Sequence, residues 1–173
     1  LSNFRGWRHV EAIRIADKLG VPHPAASQPY YNAMNRMPET EILPACTHHG
    51  IGVVPYSPLA RGVLTGKYTP GEKPGTSSRA GRGDRRIMET EFRDESLVMA
   101  QTIKSHAESR GMTAGAFALR WVLHNTLVTS VLAGPRTMAH WKGYLSALES
   151  GFTEEDEALV NQLVPMGHPS TPG

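Results

Sequence analysis

Ile51-Gly52-Val53-Val54-Pro55-Tyr56-Ser57-Pro58-Leu59-Ala60-Arg61-Gly62 is the stretch on which the fold turns. Its first half is a short β-rich apolar run bounded by glycine and proline, as a strand buried in a parallel sheet requires. Its second half changes at once to small and turn-forming residues, so the strand runs directly into a loop. Upstream, Glu39 to His49 carries Ile42, Leu43 and Cys46 at helical spacing. It begins beside Pro38 and stops at Gly50, the proline-first, glycine-last asymmetry of a helix. Ala25 to Pro29 is a strand-sized piece leading into the polar Asn32 and Asn35. Phe4 to Leu19 reads as an amphipathic helix with Phe4, Trp7, Val10 and Ile13 on one face, Asn3 available as N-cap and Gly20 as terminator.

Downstream, Thr69 to Arg86 holds Pro and Gly pairs and clusters of Ser, Gly and Arg without apolar periodicity, predicting a long loop outside the core that is either functional or disordered. Ser96 to Arg110 places Leu97, Ala100, Ile103 and Ala107 on one helical face, and Thr113 then caps a further apolar helix with Phe117, Leu119, Trp121 and Val122. Leu127 to Ala133 is a β-branched strand. Thr137 caps a helix with Met138, Trp141, Leu145 and Leu148 on one side, and Thr153-Glu154-Glu155-Asp156 opens a last helix that Pro165 ends. Strands alternating with helices in this way imply parallel βαβ units, whose sites are built at the C-terminal strand ends.

Bulk properties bound the rest. The 173 residues suit one domain, spanning 1–173. Apolar residues make up 39% and none of the runs approaches the roughly 20 needed for a membrane span. A formal charge of +2 gives no reason to expect nucleic acid. The lone Cys46 can neither form an internal disulfide nor complete a metal-ligand pattern, which suits a reducing, cytoplasmic compartment. His48 and His49 fit the end of a helix, where the dipole favours cations, better than a metal site. The opening Leu-Ser-Asn-Phe lacks an initiating Met and any signal-peptide pattern, so the chain reads as cut from something longer.

Four segments fall just after predicted strands: Ser2-Asn3, Gln28, Tyr56 to Gly62, and Gly134-Pro135-Arg136. Each has an ordinary explanation alone: Asn3 a helix cap, Gln28 a turn residue, Tyr56 a core residue, Arg136 a solvated charge. Together they supply amides, an aromatic face, small residues near a pyrophosphate and a cation for a phosphate, which is what a nicotinamide dinucleotide requires. No strand is followed by the Gly-x-Gly-x-x-Gly turn of a separate dinucleotide-binding domain.

The sequence resembles the aldo-keto reductase family through Leu1-Ser2-Asn3-Phe4, Gln28-Pro29-Tyr30-Tyr31-Asn32, Tyr56 to Gly62 continuing to Gly66-Lys67-Tyr68, and Leu132-Ala133-Gly134-Pro135-Arg136. The resemblance covers almost the whole chain and is nearest to the long-loop subgroup of potassium-channel beta subunits and bacterial relatives. It implies an α/β fold, a TIM-type (β/α)8 barrel, with this chain as the C-terminal half from the end of strand 5 through strand 8 and the closing helices. It implies NADP as cofactor. Ser2, Asn3 and Gln28 would hold the carboxamide, Tyr56 would stack on the nicotinamide, and Ser57, Pro58, Leu59, Ala60 and Arg61 would wrap the pyrophosphate beside Gly62. Lys67 and Arg79 would close over the phosphates from the long loop, whereas Arg82, Arg85 and Arg86 are as well explained as solvated charges. Gly134 and Arg136 would face the 2′-phosphate, for which a guanidinium suits two oxygens at once.

The family pattern then continues with a Gln four residues beyond that Arg and a Glu-Asn pair, where this chain has His140, Gly143 and Tyr144. His140 can offer a ring nitrogen and Tyr144 can stack. The family's proton donor is a tyrosine supported by lysine, aspartate and histidine, all on the first four strands, so no catalytic residue is assigned here. A half barrel would leave strand edges unpaired and a core face uncovered, so the complete barrel of roughly 250 residues or more is expected to do the chemistry. The expected function is reduction of a small-molecule aldehyde or ketone by that barrel. The alternatives are a cofactor-binding regulatory subunit of the same fold and, less favoured, a βα nucleotide-binding domain without a barrel. Neither nucleic acid nor membrane is an expected partner, and the oligomeric state is left open.

Overall fold

The structure, a computed structural model, describes residues 1–169. Its framework is four extended segments that pair in parallel in chain order. Ser2 bridges to Gln28, β1 (Ala26–Ser27) pairs with β2 (Gly52–Val53) so that Ala26 faces Gly52, and Tyr56 bridges to both Tyr30 and Leu132. Each strand therefore neighbours the next one in sequence, as consecutive βα units do. The predicted strand from Leu127 to Ala133 is reduced to that last bridge, supplemented by Thr129 N–H and Leu132 N–H donating to the carbonyls of Val53 and Pro55.

Among the described residues, seven α-helices pack around this framework: α1 (Gly6–Leu19), α2 (Ile42–His48), α3 (Arg85–Thr90), α4 (Asp94–Ser109), α5 (Ala114–His124), α6 (Met138–Glu149) and α7 (Glu154–Leu163). α1 lies on α2, α4 on α5 and on α7, and α5 on α6. The inward faces of α2 and α4 are those their sequence periods predict, with Ile42, Leu43, Cys46, Leu97, Ala100, Ile103 and Ala107 buried. Thr113, Thr137 and Thr153 cap their helices as expected, the last in a capping box with Asp156.

Two helical faces differ from expectation. α1 buries Gly6, His9, Ile13 and Ala16, while Trp7 is 61% exposed and Val10 also faces outward. The inward position is taken by His9, whose Nδ1 meets the Arg5 carbonyl at 3.1 Å and whose Nε2 meets the Ser27 hydroxyl at 2.8 Å. With both ring nitrogens paired, an imidazole is buried at little cost. Asn3 does not cap this helix. Arg5 holds the cap position without a side-chain bond, and Asn3 lies two residues earlier in the left-handed region. In α6 the row Met138, Trp141, Leu145 and Leu148 is exposed, and Ala147 is the buried residue. Helical period specifies which residues share a face, not whether anything covers it.

The segment 69–86 is not wholly outside the core as its composition suggests. Ala80 is buried, its N–H donates to the Tyr68 hydroxyl, and Asp84 caps α3, which begins at Arg85 and buries Ile87. The core itself runs from Tyr31, Met34 and Leu43 through Val53, Val63 and Leu64 to Ile103, Phe117 and Trp121. α7 is fastened to it by two polar clusters. Arg36 pairs with Glu39 and donates to Asn161 and the Val164 carbonyl. Asp156, fully buried, accepts from His106 of α4 at 2.7 Å and from Arg110, the residue that caps α4, at 3.0 Å.

Candidate functional site

Beyond β2 the chain leaves the sheet through a run of unusual backbone. Among the described residues, those other than glycine with positive φ are Asn3, Ser57, Ala60 and Arg61. L-residues reach that region at a cost of about 1 kcal/mol or more each, and such strain concentrates where a site needs a set backbone path. All four are residues singled out by the sequence. Gly62 follows at φ 99°, a conformation that favours glycine, and a Cβ there would lie 3.1 Å from Lys67 Nζ, so that ammonium approaches the turn closely.

This path forms one wall of a cavity of about 590 Å³. Ser57, Pro58, Leu59, Arg61 and Gly62 line it from the strand end, and Lys67 and Arg79 from the segment that follows. Gly134, Arg136 and His140 line it from the loop after the Leu132 bridge and from the start of α6. Ala60 is fully buried and contributes backbone shape rather than surface. Among the described residues, four cations thus meet one cavity, and no Asp or Glu side chain lines it. Arg61 is the most constrained of them. Its Nε donates to Thr90 Oγ1 at 3.3 Å and its guanidinium lies 5.3 Å from the centre of the Tyr30 ring. Burial above all holds its pKa below the ordinary arginine value. Tyr56 and Asp84 oppose that shift, while Arg79 and Arg86 add to it. Crowded, partly desolvated cations are an environment that a bound anion relieves.

Lys67 is positioned from behind. Gln101 on α4 donates to the carbonyls of Gly66 at 3.0 Å and Tyr68 at 2.7 Å, bracketing it, and Tyr68 packs edge-on against Phe92. Arg79 lies 3.4 Å from Asp84, whereas Arg82 and Arg85 are spent on the Ser77 carbonyl and on Glu89.

The remaining residues singled out, Ser2, Asn3, Gln28 and Tyr56, do not line this cavity but meet one another at the same strand ends. Ser2 Oγ donates to the Gln28 carbonyl, and Asn3 Oδ1 accepts from Tyr30 N–H at 3.3 Å and from the Tyr56 hydroxyl at 3.2 Å. The Tyr56 ring lies 5.3 Å from that of Tyr30. Amides and an aromatic ring therefore stand beside a cationic cavity.

A further wall is built from residues that sequence reasoning had not singled out for the site. Thr113, Gly115 and Ala116 at the start of α5, with Thr65, also line the cavity. The run of small residues Ala114-Gly115-Ala116 directly after the cap was the available signal, since it lets a helix end approach a ligand closely. Tyr144 and Gly143 complete the α6 side. Burial pushes the Tyr144 phenol above its ordinary pKa, so it stays protonated at neutral pH. Among the described residues no group of His, Cys, Asp and Glu could hold a metal ion, and none of the helices is long and apolar enough to cross a membrane.

A profile of the aldo/keto reductase family matches residues 1–165. The chain is 39% identical over 134 residues to a probable voltage-gated potassium channel subunit beta of Arabidopsis thaliana, covering 77% of this chain and 41% of that protein. It is 30% identical to an L-glyceraldehyde 3-phosphate reductase of Escherichia coli O157:H7, over 96% of this chain and 49% of the relative. It is also 30% identical to human aflatoxin B1 aldehyde reductase member 2, over 87% and 46% respectively. The chain thus spans about half the length of the curated relatives it matches.

Proposed function

The chain belongs to the aldo/keto reductase family, and from that premise we propose that it forms the C-terminal half of a TIM-type barrel that reduces an aldehyde or ketone to its alcohol with NADPH. The observation that carries this reading is the cavity into which Arg61, Lys67, Arg79 and Arg136 converge without a carboxylate. That donor set fits a dinucleotide with several phosphates.

In this reading Ser2, Asn3 and Gln28 fix the carboxamide and so the ring face presented to substrate. Tyr56, its hydroxyl held by Asn3, provides the surface against which the ring lies. The left-handed turn through Ser57, Ala60 and Arg61 carries the backbone around the pyrophosphate, and Lys67 and Arg79 close over it. Arg136 takes the 2′-phosphate, with Gly134 leaving room beside it. The reduced nicotinamide, when bound, supplies the hydride. The matching proton needs an acid at the carbonyl oxygen, and three of the five tyrosines here are engaged elsewhere. The Tyr31 hydroxyl is held by Glu39 and Asn125, that of Tyr56 by Asn3, and that of Tyr68 by Ala80 N–H. That acid belongs, on the family resemblance, to the first four strands.

The test is nucleotide binding followed by fluorescence. Arg136→Ala is expected to weaken NADPH by at least about tenfold, the scale of a lost charge-assisted hydrogen bond, with NADH nearly unaffected. Equal losses for the two would place Arg136 elsewhere. A second reading, a cofactor-retaining regulatory subunit with little turnover, draws on the identity to the plant channel subunit. Slow steady-state turnover with tight retention of nucleotide would favour it.

A further inference from the structure

The cavity has two chemically different ends. Around Arg61, Lys67 and Arg79 it is cationic, whereas along α6, beyond Arg136, it presents His140, Gly143 and Tyr144. No Asp, Glu, Asn or Gln side chain lines it anywhere. An exocyclic amine on a purine is recognised by an acceptor, and carboxylates and side-chain amides are the usual side-chain acceptors. What α6 offers instead is a donor and a ring. His140 Nδ1 faces the Arg136 N–H at 3.4 Å, so in the neutral imidazole the proton resides on Nε2, which becomes a donor. Tyr144 packs on the Ala116, Leu119 and Ala147 cluster while lining the cavity, and no other ring stacks on it among the described residues.

We propose that the α6 end of the cavity takes the purine of the dinucleotide by stacking on Tyr144 and by donation from His140, and therefore accepts a 6-oxopurine as readily as adenine. The inference rests on the reading of the cavity as a dinucleotide site. Stacking is indifferent to the exocyclic group because every base has a π-face. An imidazole donor is satisfied by N7 of either purine, or by the O6 that only the oxopurine carries. Strong discrimination would need a carboxylate or side-chain amide as acceptor, and Gly143 on α6 offers neither. Nothing lies within 4 Å of the Cβ that a larger residue would place there.

The experiment is a fluorescence titration of the protein at its full natural length with NADPH and with its hypoxanthine counterpart. Dissociation constants within about threefold of each other are expected. Hypoxanthine binding weaker by tenfold or more, with NADPH still bound, would overturn the inference and leave the cofactor reading standing. Binding of neither would overturn both. Tyr144→Ala should weaken both ligands about tenfold, and Tyr144→Phe should not. An unchanged affinity in a Tyr144→Ala protein of unchanged circular dichroism would also overturn it. Gly143→Glu should restore a preference for adenine of about tenfold, and no preference there would count against the proposal.

Discussion

α5 and α6 lie against each other and line the same cavity, yet they are held in place very differently. α5 buries Phe117, Leu119, Trp121 and Val122, with Phe117 touching His106 of α4 on one side and Phe152 on the other, so its small N-terminal residues form a wall fixed by core packing. α6 buries Ala147 and leaves its apolar row to solvent. One wall is set by close packing, whereas the other, which carries His140 and Tyr144, is seated on a narrow strip. A site can thus combine a rigid side with one whose support comes from elsewhere.

The largest effect should come from the packed wall. Trp121→Ala removes a ring that stacks near Tyr31 and beneath Arg36, and urea unfolding should show a loss of about 3–5 kcal/mol. A loss under about 1 kcal/mol would break the comparison at its firmer end. Next is the cluster that clamps α4 and α7 over α5. Asp156→Asn should cost about 3 kcal/mol, because Arg110 loses a buried counter-charge and His106 its carboxylate partner. Burial works to raise the Asp156 pKa, but the hydrogen bonds of His106 and Thr153 and the charge of Arg110 overcome it and hold it below the ordinary value. Its stabilisation is therefore complete above an unfolded aspartate pKa of about 4 and is lost as pH falls through the lower folded value. Unfolding midpoints measured downward from pH 5 should show that acid step in the wild type and not in Asp156→Asn.

Smaller effects probe the two helix starts. Thr113→Ala and Thr137→Ala each remove a cap bond, from Ala116 N–H at 3.1 Å and His140 N–H at 3.2 Å, and should each lower stability by about 1 kcal/mol in thermal melts. The smallest effect sharpens the comparison most. Trp141→Ala on α6 should change stability by no more than about 0.5 kcal/mol if its row stays bare. A loss of several kcal/mol in the full-length protein would show that another layer covers α6.

The contrast also explains what the sequence could reveal. α2, α4 and α5 were legible because their buried positions are largely apolar at helical period and their ends carry Pro, Gly or Thr, and α7 because Thr153-Glu154-Glu155-Asp156 opens it and Pro165 follows it. The inward face of α1 was not, because His9 sits inside through two hydrogen bonds that no hydropathy pattern encodes. Nor was the burial of Ala80, which depends on Tyr68 and Phe92 arriving from flanking segments. In the site, the cations and glycines after the strands were legible, since strand ends are where βα units place them. The α5 wall was hidden because it comes from a helix start that follows no strand, and Gln101 because it acts on backbone carbonyls from the middle of α4.

The left-handed Ala60 has a consequence for how this sequence can change. It is fully buried and shows no surface to the cavity, so Ala60→Gly would relieve unfavourable φ without removing a functional group. Selection for heat resistance would weigh that relief against the buried methyl that Ala60 contributes to the core. The added freedom would fall on the turn that shapes the cavity, between Ser57 and Arg61. Where the relief outweighs the methyl, lineages favouring durability and lineages favouring a well-set binding turn would therefore be drawn to different residues at this one position.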